Sequence, residues 1–164
     1  MRPPPPVELS VVIAARNAVS TLGGQFEARA VQPASFRSEV IISDNRSTDA
    51  TMKVALAMAE RLPDLRRIAA SARRGAGAAR NVGASAARGG YLAFCDSDDV
   101  VGAGWASTMH TALAGHAFAA GRLDGTLLNG GTSRASRVLP QKDGLQMSPH
   151  SALPRAACNM GVRA

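Results

Sequence analysis

Apolar residues fall along this chain in short unbroken runs, set between segments with helical spacing. Residues 9–15 (LSVVIAA) and 39–43 (EVIIS) are continuous and rich in β-branched side chains. Neither leaves a face for water, which predicts strands buried on both sides. Between them, Ser20 or Thr21 stands where a helix cap belongs, and a helix is predicted to about Val31, before Pro33 breaks the pattern. In residues 50–62, Val54, Met58 and Leu62 recur at every fourth position with Ala55 and Ala59 alongside, giving one apolar face of a second helix that Pro63 ends.

Residues 65–69 form a weaker strand candidate. Gly75 and Gly77 open a small-residue helix running through Arg88, and Gly89 and Gly90 close it. Residues 91–95 (YLAFC) predict another buried strand, 105–113 a helix and 118–122 an extended segment. Strands alternating with helices imply an α/β fold, a mostly parallel sheet with helices on both faces. After Leu123 periodicity fades into Gly, Ser, Pro and Arg, with one further strand expected near 160–163.

Composition changes this picture little. The 164 residues suffice for one domain with a core, built largely from Ala, Val, Leu and Met because only 4% are aromatic. The formal charge of +7 and pI of about 10.9 first suggest nucleic acid. Yet the cations are scattered, nearly all Arg, and interleaved with no aromatic motif, which favours a solvated basic surface over a nucleic-acid stripe. Such a surface also suits nucleoside diphosphates, or peripheral contact with an anionic membrane. Residues 100–121 carry no Lys, Arg, Asp or Glu, but Ser107, Thr108, His110, Thr111, His116 and glycines interrupt them, so no span is expected. Met1 and Arg2 lead into prolines with no apolar core of a secretory signal, and a cytoplasmic protein is expected. Cys95 and Cys158 form no disulfide framework, and Cys95 reads as a buried thiol within its apolar run.

Candidate chemistry gathers at strand ends, where ligands of open parallel sheets bind. Arg16 and Asn17 follow the first strand, Asp44 and Asn45 the second, and Asp96, Ser97, Asp98 and Asp99 the later one. Three carboxylates within four residues repel one another unless solvent or a cation offsets them. With a diphosphate they would offer the all-oxygen surroundings that suit Mg²⁺ or Mn²⁺; the same spacing also serves a solvated turn capping the next helix. Gly75-Ala76-Gly77-Ala78-Ala79-Arg80 lacks the third glycine of a dinucleotide loop, and a glycine-rich helix start packed on the sheet is the simpler role.

Residues 9–17 (LSVVIAARN), 39–51 (EVIISDNRSTDAT) and 72–99 (ARRGAGAARNVGASAARGGYLAFCDSDD) together resemble the family 2 glycosyltransferases, in order and in spacing. A fainter likeness runs through residues 121–124 to Asn159. The resemblance implies a GT-A fold, a Rossmann-like sheet, and inverting transfer of a sugar from a nucleotide-diphosphate donor to an acceptor that is a glycan, lipid or small molecule. It assigns Asp44 to the nucleotide base, Ala15, Arg16 and Asn17 to the loop beside base and ribose, and Arg80 to the nucleotide. Asp96 falls near ribose and metal, Asp98 is the principal metal ligand, and Asp99 supports the loop. The implied domains are a leader at 1–7, a nucleotide-sugar-binding domain at 8–124, and an incomplete, loop-rich acceptor side at 125–164.

There are departures. The family often has proline at Ala14, an aromatic at Arg16 and glycine at Arg46. Residues 159–163 resemble the strand before a Gly-Phe-Asp-Glu loop and a Glu-Asp pair, where the family keeps its catalytic base. That region is absent, so a partial member without its base is expected, one that binds donor and transfers poorly. Alternatives are a binding remnant without transferase activity and a nucleotidyltransferase-like enzyme, although the latter usually has a Gly-rich basic loop where Ala15, Arg16, Asn17 and Ala18 stand. Some enzymes of the GT-A fold recruit a late histidine to the metal, which makes His150 a candidate, but its setting between Pro149 and Ser151 reads as a loop and favours a plain surface histidine.

Overall fold

The computed structural model describes residues 6–62, 64–124, 147–148, 151–154 and 158–164. Four strands run parallel: β1 (Leu9–Ala15), β2 (Ser38–Asp44), β3 (Leu65–Ala69) and β4 (Tyr91–Asp96), in the order β3-β2-β1-β4. Beyond β4 the sheet continues through β8 (Asn159–Arg163) to β5 (Phe118–Ala120), with β8 antiparallel to both neighbours. The helices are α1 (Leu22–Ala30), α2 (Thr51–Ala57), α3 (Ala76–Ser85) and α4 (Trp105–Gly115). A separate antiparallel pair joins β6 (Met147–Ser148) to β7 (Ser151–Pro154).

All seven residues of β1 are buried, as its unbroken apolar run requires. Alternation along the strand sends Leu9, Val11, Ile13 and Ala15 to one face. There they pack with Leu22 and Phe26 of α1, Ala55 of α2 and Ala106 of α4. Burying each large side chain of that layer contributes about 1.5–3 kcal/mol. Ala14 belongs to the opposite layer, against Ala79 of α3. On that side Gly83 lies so near the sheet that an added Cβ would stand 2.4 Å from Val12 Cγ1. The close approach of helix to sheet therefore rests on Gly83. Gly75 and Gly77 have open space around their missing Cβ atoms, and Gly75 is needed for its φ of +117° at the helix entry.

The helix ends differ from the sequence pattern for physical reasons. Thr21 occupies the cap position of α1, but its hydroxyl turns back toward the Ala18 carbonyl and caps no helical N–H. The second helix ends at Ala57, and residues 58–62 continue as turns that keep Met58 and Leu62 buried. The third ends at Ser85: Ala86 and Ala87 N–H still bond back to the Val82 and Ala84 carbonyls, but Arg88 N–H donates to Glu39 Oε1 at 2.8 Å and Gly89 N–H to Ser10 Oγ at 2.9 Å, so the helix goes no further. Among the described residues no helix is long and apolar enough to cross a membrane.

Candidate functional site

Since β1 to β4 are parallel, their carboxyl ends share one edge: Ala15 pairs with Asp44, Ala14 with Asp96 and Asp44 with Ala69. The strand order reverses at β1, which has β2 on one side and β4 on the other, so a crevice opens between the ends of β1 and β4. A cavity of about 350 Å³ fills it, lined by Ala15, Arg16, Asn45, Gly75, Asp96 and Asp98 among others. The first residues of α3 also line it, and the partial positive charge of a helix N-terminus favours an anion there.

The loops around this cleft are tied together by side chains. Asn17 adopts a left-handed φ of +49°; its Oδ1 accepts Thr48 N–H at 2.8 Å and its own N–H donates to Ser47 Oγ at 3.0 Å. Asn17 thus joins the loop after β1 to the loop after β2. Asp44, half-buried, accepts Ser47 N–H on Oδ1 at 3.2 Å. Arg46 has φ +63°, the region that suits glycine, and Arg46 Nε donates to the Ser71 carbonyl at 2.6 Å. Asn45, named in the sequence as part of the strand-end cluster but given no role by the resemblance, lies 3% exposed and holds the loop before α3. Its Nδ2 donates to the carbonyls of Ala70 and Arg73, and its Oδ1 accepts Gly75 N–H at 2.9 Å.

The acidic loop is divided in its surroundings. Arg80 forms an ion pair with Asp96 Oδ1, while Arg80 Nε is buried without a partner. Asp98 is exposed on the cleft wall. Asp99 turns inward, and its carboxylate, Asp96's and the Cys158 thiol each place one ligand-capable atom within 4.8 Å of the others. Burial, followed by the charges of Asp96 and Asp98, pushes the Asp99 carboxyl up to about 6; a backbone hydrogen bond and the Cys158 thiol offset part of this. Burial and the same acids push the Cys158 thiol up to about 11. Asp99 Oδ2 is buried without a hydrogen-bond partner. Cys95 is 2% exposed, its thiol pushed up to about 12 chiefly by burial, as an inert core thiol should be.

Asp99 and Cys158 also border a second cavity of about 510 Å³, walled by Trp105, Thr108, Met109 and Asn159 and reaching Asp124. His150 and Asp143 lie outside the described residues, as does most of 125–157. No local pattern marks Cys158 as a site residue, because only the antiparallel course of β8 carries it there.

A mostly parallel sheet of this order, with its cleft at the β1/β4 reversal and an acidic loop after β4, has the architecture of the GT-A nucleotide-diphospho-sugar transferases. The chain belongs to glycosyl transferase family 2, whose model matches residues 10–164. It is 38% identical over 94 residues to the succinoglycan biosynthesis protein ExoO of Rhizobium meliloti (strain 1021), covering 57% of this chain and 26% of that protein. The S. aureus TarS 1-349 structure in complex with UDP-GlcNAc aligns with a TM-score of 0.66 at 23% identity, over 76% of this chain and 36% of that one. The mannosyltransferase PcManGT from Pyrobaculum calidifontis, in complex with GDP-Man and Mn²⁺, aligns with a TM-score of 0.53 at 24% identity, over 60% and 31%. At such identities these structures show the fold. The family match removes the nucleotidyltransferase alternative.

Proposed function

We propose that this chain forms the donor side of an enzyme that transfers a sugar from a nucleotide-diphosphate donor to an acceptor, with inversion and with a divalent ion. The observation that carries this reading is the convergence, at one sheet edge, of Arg16, Asp96, Asp98 and the start of α3 around a single cleft. In this reading Asp44 meets the base, Ala15, Arg16 and Asn17 flank base and ribose, and Arg80 faces the nucleotide while holding Asp96. The diphosphate lies toward the first turn of α3.

The acidic loop fits a divalent ion. Two carboxylates and a thiol converge, and one buried carboxylate oxygen has no partner of its own. Asp96 and Asp98, with Asp99 behind them, would hold an Mg²⁺ or Mn²⁺ ion, which when bound offsets the charge gathering on the departing nucleoside diphosphate. Inversion requires the acceptor hydroxyl to attack from the opposite face of the sugar and to pass its proton to a carboxylate. No described residue is assigned that task.

Calorimetry with UDP, GDP and dTDP, with and without Mn²⁺, tests the reading. Binding should be weak alone and tighter with the ion. Asp98→Ala should abolish the effect of the ion, and Asp44→Ala should mainly reduce discrimination between bases. Binding of equal strength with and without the ion would refute the metal dependence, and no binding of any nucleotide would refute the donor site.

A further inference from the structure

The residues that follow the acidic loop have no regular structure of their own to fix them. Residues 100–104 lie in neither helix nor strand, and Gly102 and Gly104 are among them. Gly104 leads into α4 with a left-handed φ of +71°, and as a glycine it offers no side chain to cap the helix. Yet this segment continues directly from Asp98 and Asp99, and Val100 to Ala103 wall the cavity of about 510 Å³. Its course decides where the acids stand.

The bonds that fix it come from α1 and the turn after it, 70 to 76 positions away in the chain. Gln25 Oε1 accepts Val101 N–H at 3.0 Å. Gln32 grips both sides of Gly104. Its Nε2 donates to the Gly102 carbonyl at 2.8 Å, and its Oε1 accepts Ala106 N–H at 2.9 Å, which caps α4 from outside. Ser107 Oγ adds a bond to the Pro33 carbonyl at 3.0 Å. Gln25 is wholly buried, and its Nε2 has no partner better than the Cys95 thiol, a weak acceptor. Burying an amide on those terms is costly, and packing alone would favour an apolar side chain of the same length. The bond to Val101 is what such a side chain could not supply.

We propose that Gln25 and Gln32 are positioning residues of the donor site. They act through the backbone of residues 101–106 to hold the acidic loop where it meets the diphosphate. Neither lines the cleft or the second cavity. The inference rests on the donor-site reading above and deepens it. The base end of the cleft is fastened separately, by Asn17 to Thr48 and by Asp44 to Ser47, without either glutamine. Loss of the glutamine bonds is therefore felt at the diphosphate and spared at the base.

The test compares UDP with UMP by calorimetry in the presence of Mn²⁺, alongside acrylamide quenching of Trp105, the single tryptophan of the chain and the first residue of α4. Removing a residue that orients a site from behind costs about 10–100-fold in affinity where the site holds a metal. Gln32→Ala should therefore weaken UDP by about tenfold, leave UMP within about threefold, and raise the quenching of Trp105. Gln25→Met, matched in length, removes the Val101 bond and should give the same split. Melting curves accompany both variants. A lowered melting curve with the preference for UDP over UMP intact would make the glutamines purely structural and overturn the inference. Equal losses of UDP and UMP would also overturn it, and in both cases the donor-site reading stands. Failure of the wild type to bind UDP under any condition overturns the donor-site reading and this inference with it.

Discussion

At the amino end of the sheet, Glu39 is 1% exposed, yet both its oxygens are bonded: Oε1 accepts from Ser10 Oγ and Arg88 N–H, and Oε2 from Arg66. Nearby, His110 stacks on Phe36 with centroids 4.0 Å apart, meets Tyr91 edge-on, and reaches Glu8 at 3.0 Å. At the carboxyl end, Asp99 lies among like charges with one buried oxygen unbonded, and Arg80 has a buried Nε without a partner. The chemistry is similar, but one end is internally complete and the other is short of partners. A carboxylate whose bonds are closed by the protein holds the fold together, whereas one left open is available to a ligand. Burial alone does not separate the two; hydrogen-bond accounting does.

The largest expected break in this contrast comes from Glu39→Ala. It removes the acceptor of the Ser10 hydroxyl, leaves Arg88 N–H only its longer bond to Ser10 Oγ, and takes the ionic partner from a half-buried Arg66, so thermal or denaturant unfolding should show a loss of about 3 kcal/mol. Nucleotide affinity of the folded protein should not change. The pH response sharpens the comparison next, because the two acids have opposite signs. Burial by itself would raise Glu39, but the bonds from Arg66, Ser10 and Arg88 N–H, with the charge of Arg66, outweigh it and hold the carboxyl below its ordinary 4.5. Its contribution is therefore present above that value and lost as pH falls through the lowered one.

Asp99 is raised from 3.8 to about 6, so the folded state grips that proton harder than the unfolded chain does. Stability without metal should decline as pH rises through that window and remain lower above it. Asp99→Asn should flatten that decline and stabilise the metal-free protein at pH 7 by roughly 1 kcal/mol, discounted for its partial exposure, while weakening nucleotide binding with Mn²⁺. Melting curves from pH 4 to 8 in chelator would show both effects, and a rise in stability with pH in the wild type alone would contradict the assignment to Asp99. The smallest effect is expected for Arg46→Gly. It relieves a left-handed backbone but gives up the exposed bond to Ser71, so stability should stay within about 0.5 kcal/mol.

Much of this was readable from residues. The buried runs at 9–15, 39–43 and 91–95 became three central parallel strands, since a segment with no polar face has no other place to lie. Helix ends were less legible, because the N–H groups of Arg88 and Gly89 are taken by side chains 49 and 79 positions away. At the candidate site, the strand-end motifs gathered into a cleft as topology requires. What local pattern could not supply was which acid turns inward. Asp98 and Asp99 are adjacent and chemically alike, and their difference arises from the packing of β8. Asn45 stood in the quoted motif, but its buried role depends on a loop that closes over it from 70–75.

That same strand sets an order of events during synthesis. Cys95 must wait for Asn159 to complete its antiparallel pairing. At translation rates of about 5–20 residues per second, the interval is roughly 3–13 s. The parallel strands β1 to β4 and their cleft need nothing from β8 to pair, so they have time to dock first. During those seconds the outer edge of β4 is an unpaired, apolar template on a nascent chain, open to any other strand that meets it. The strand that brings Cys158 to the acids is thus also the one that ends the most aggregation-prone moment of folding.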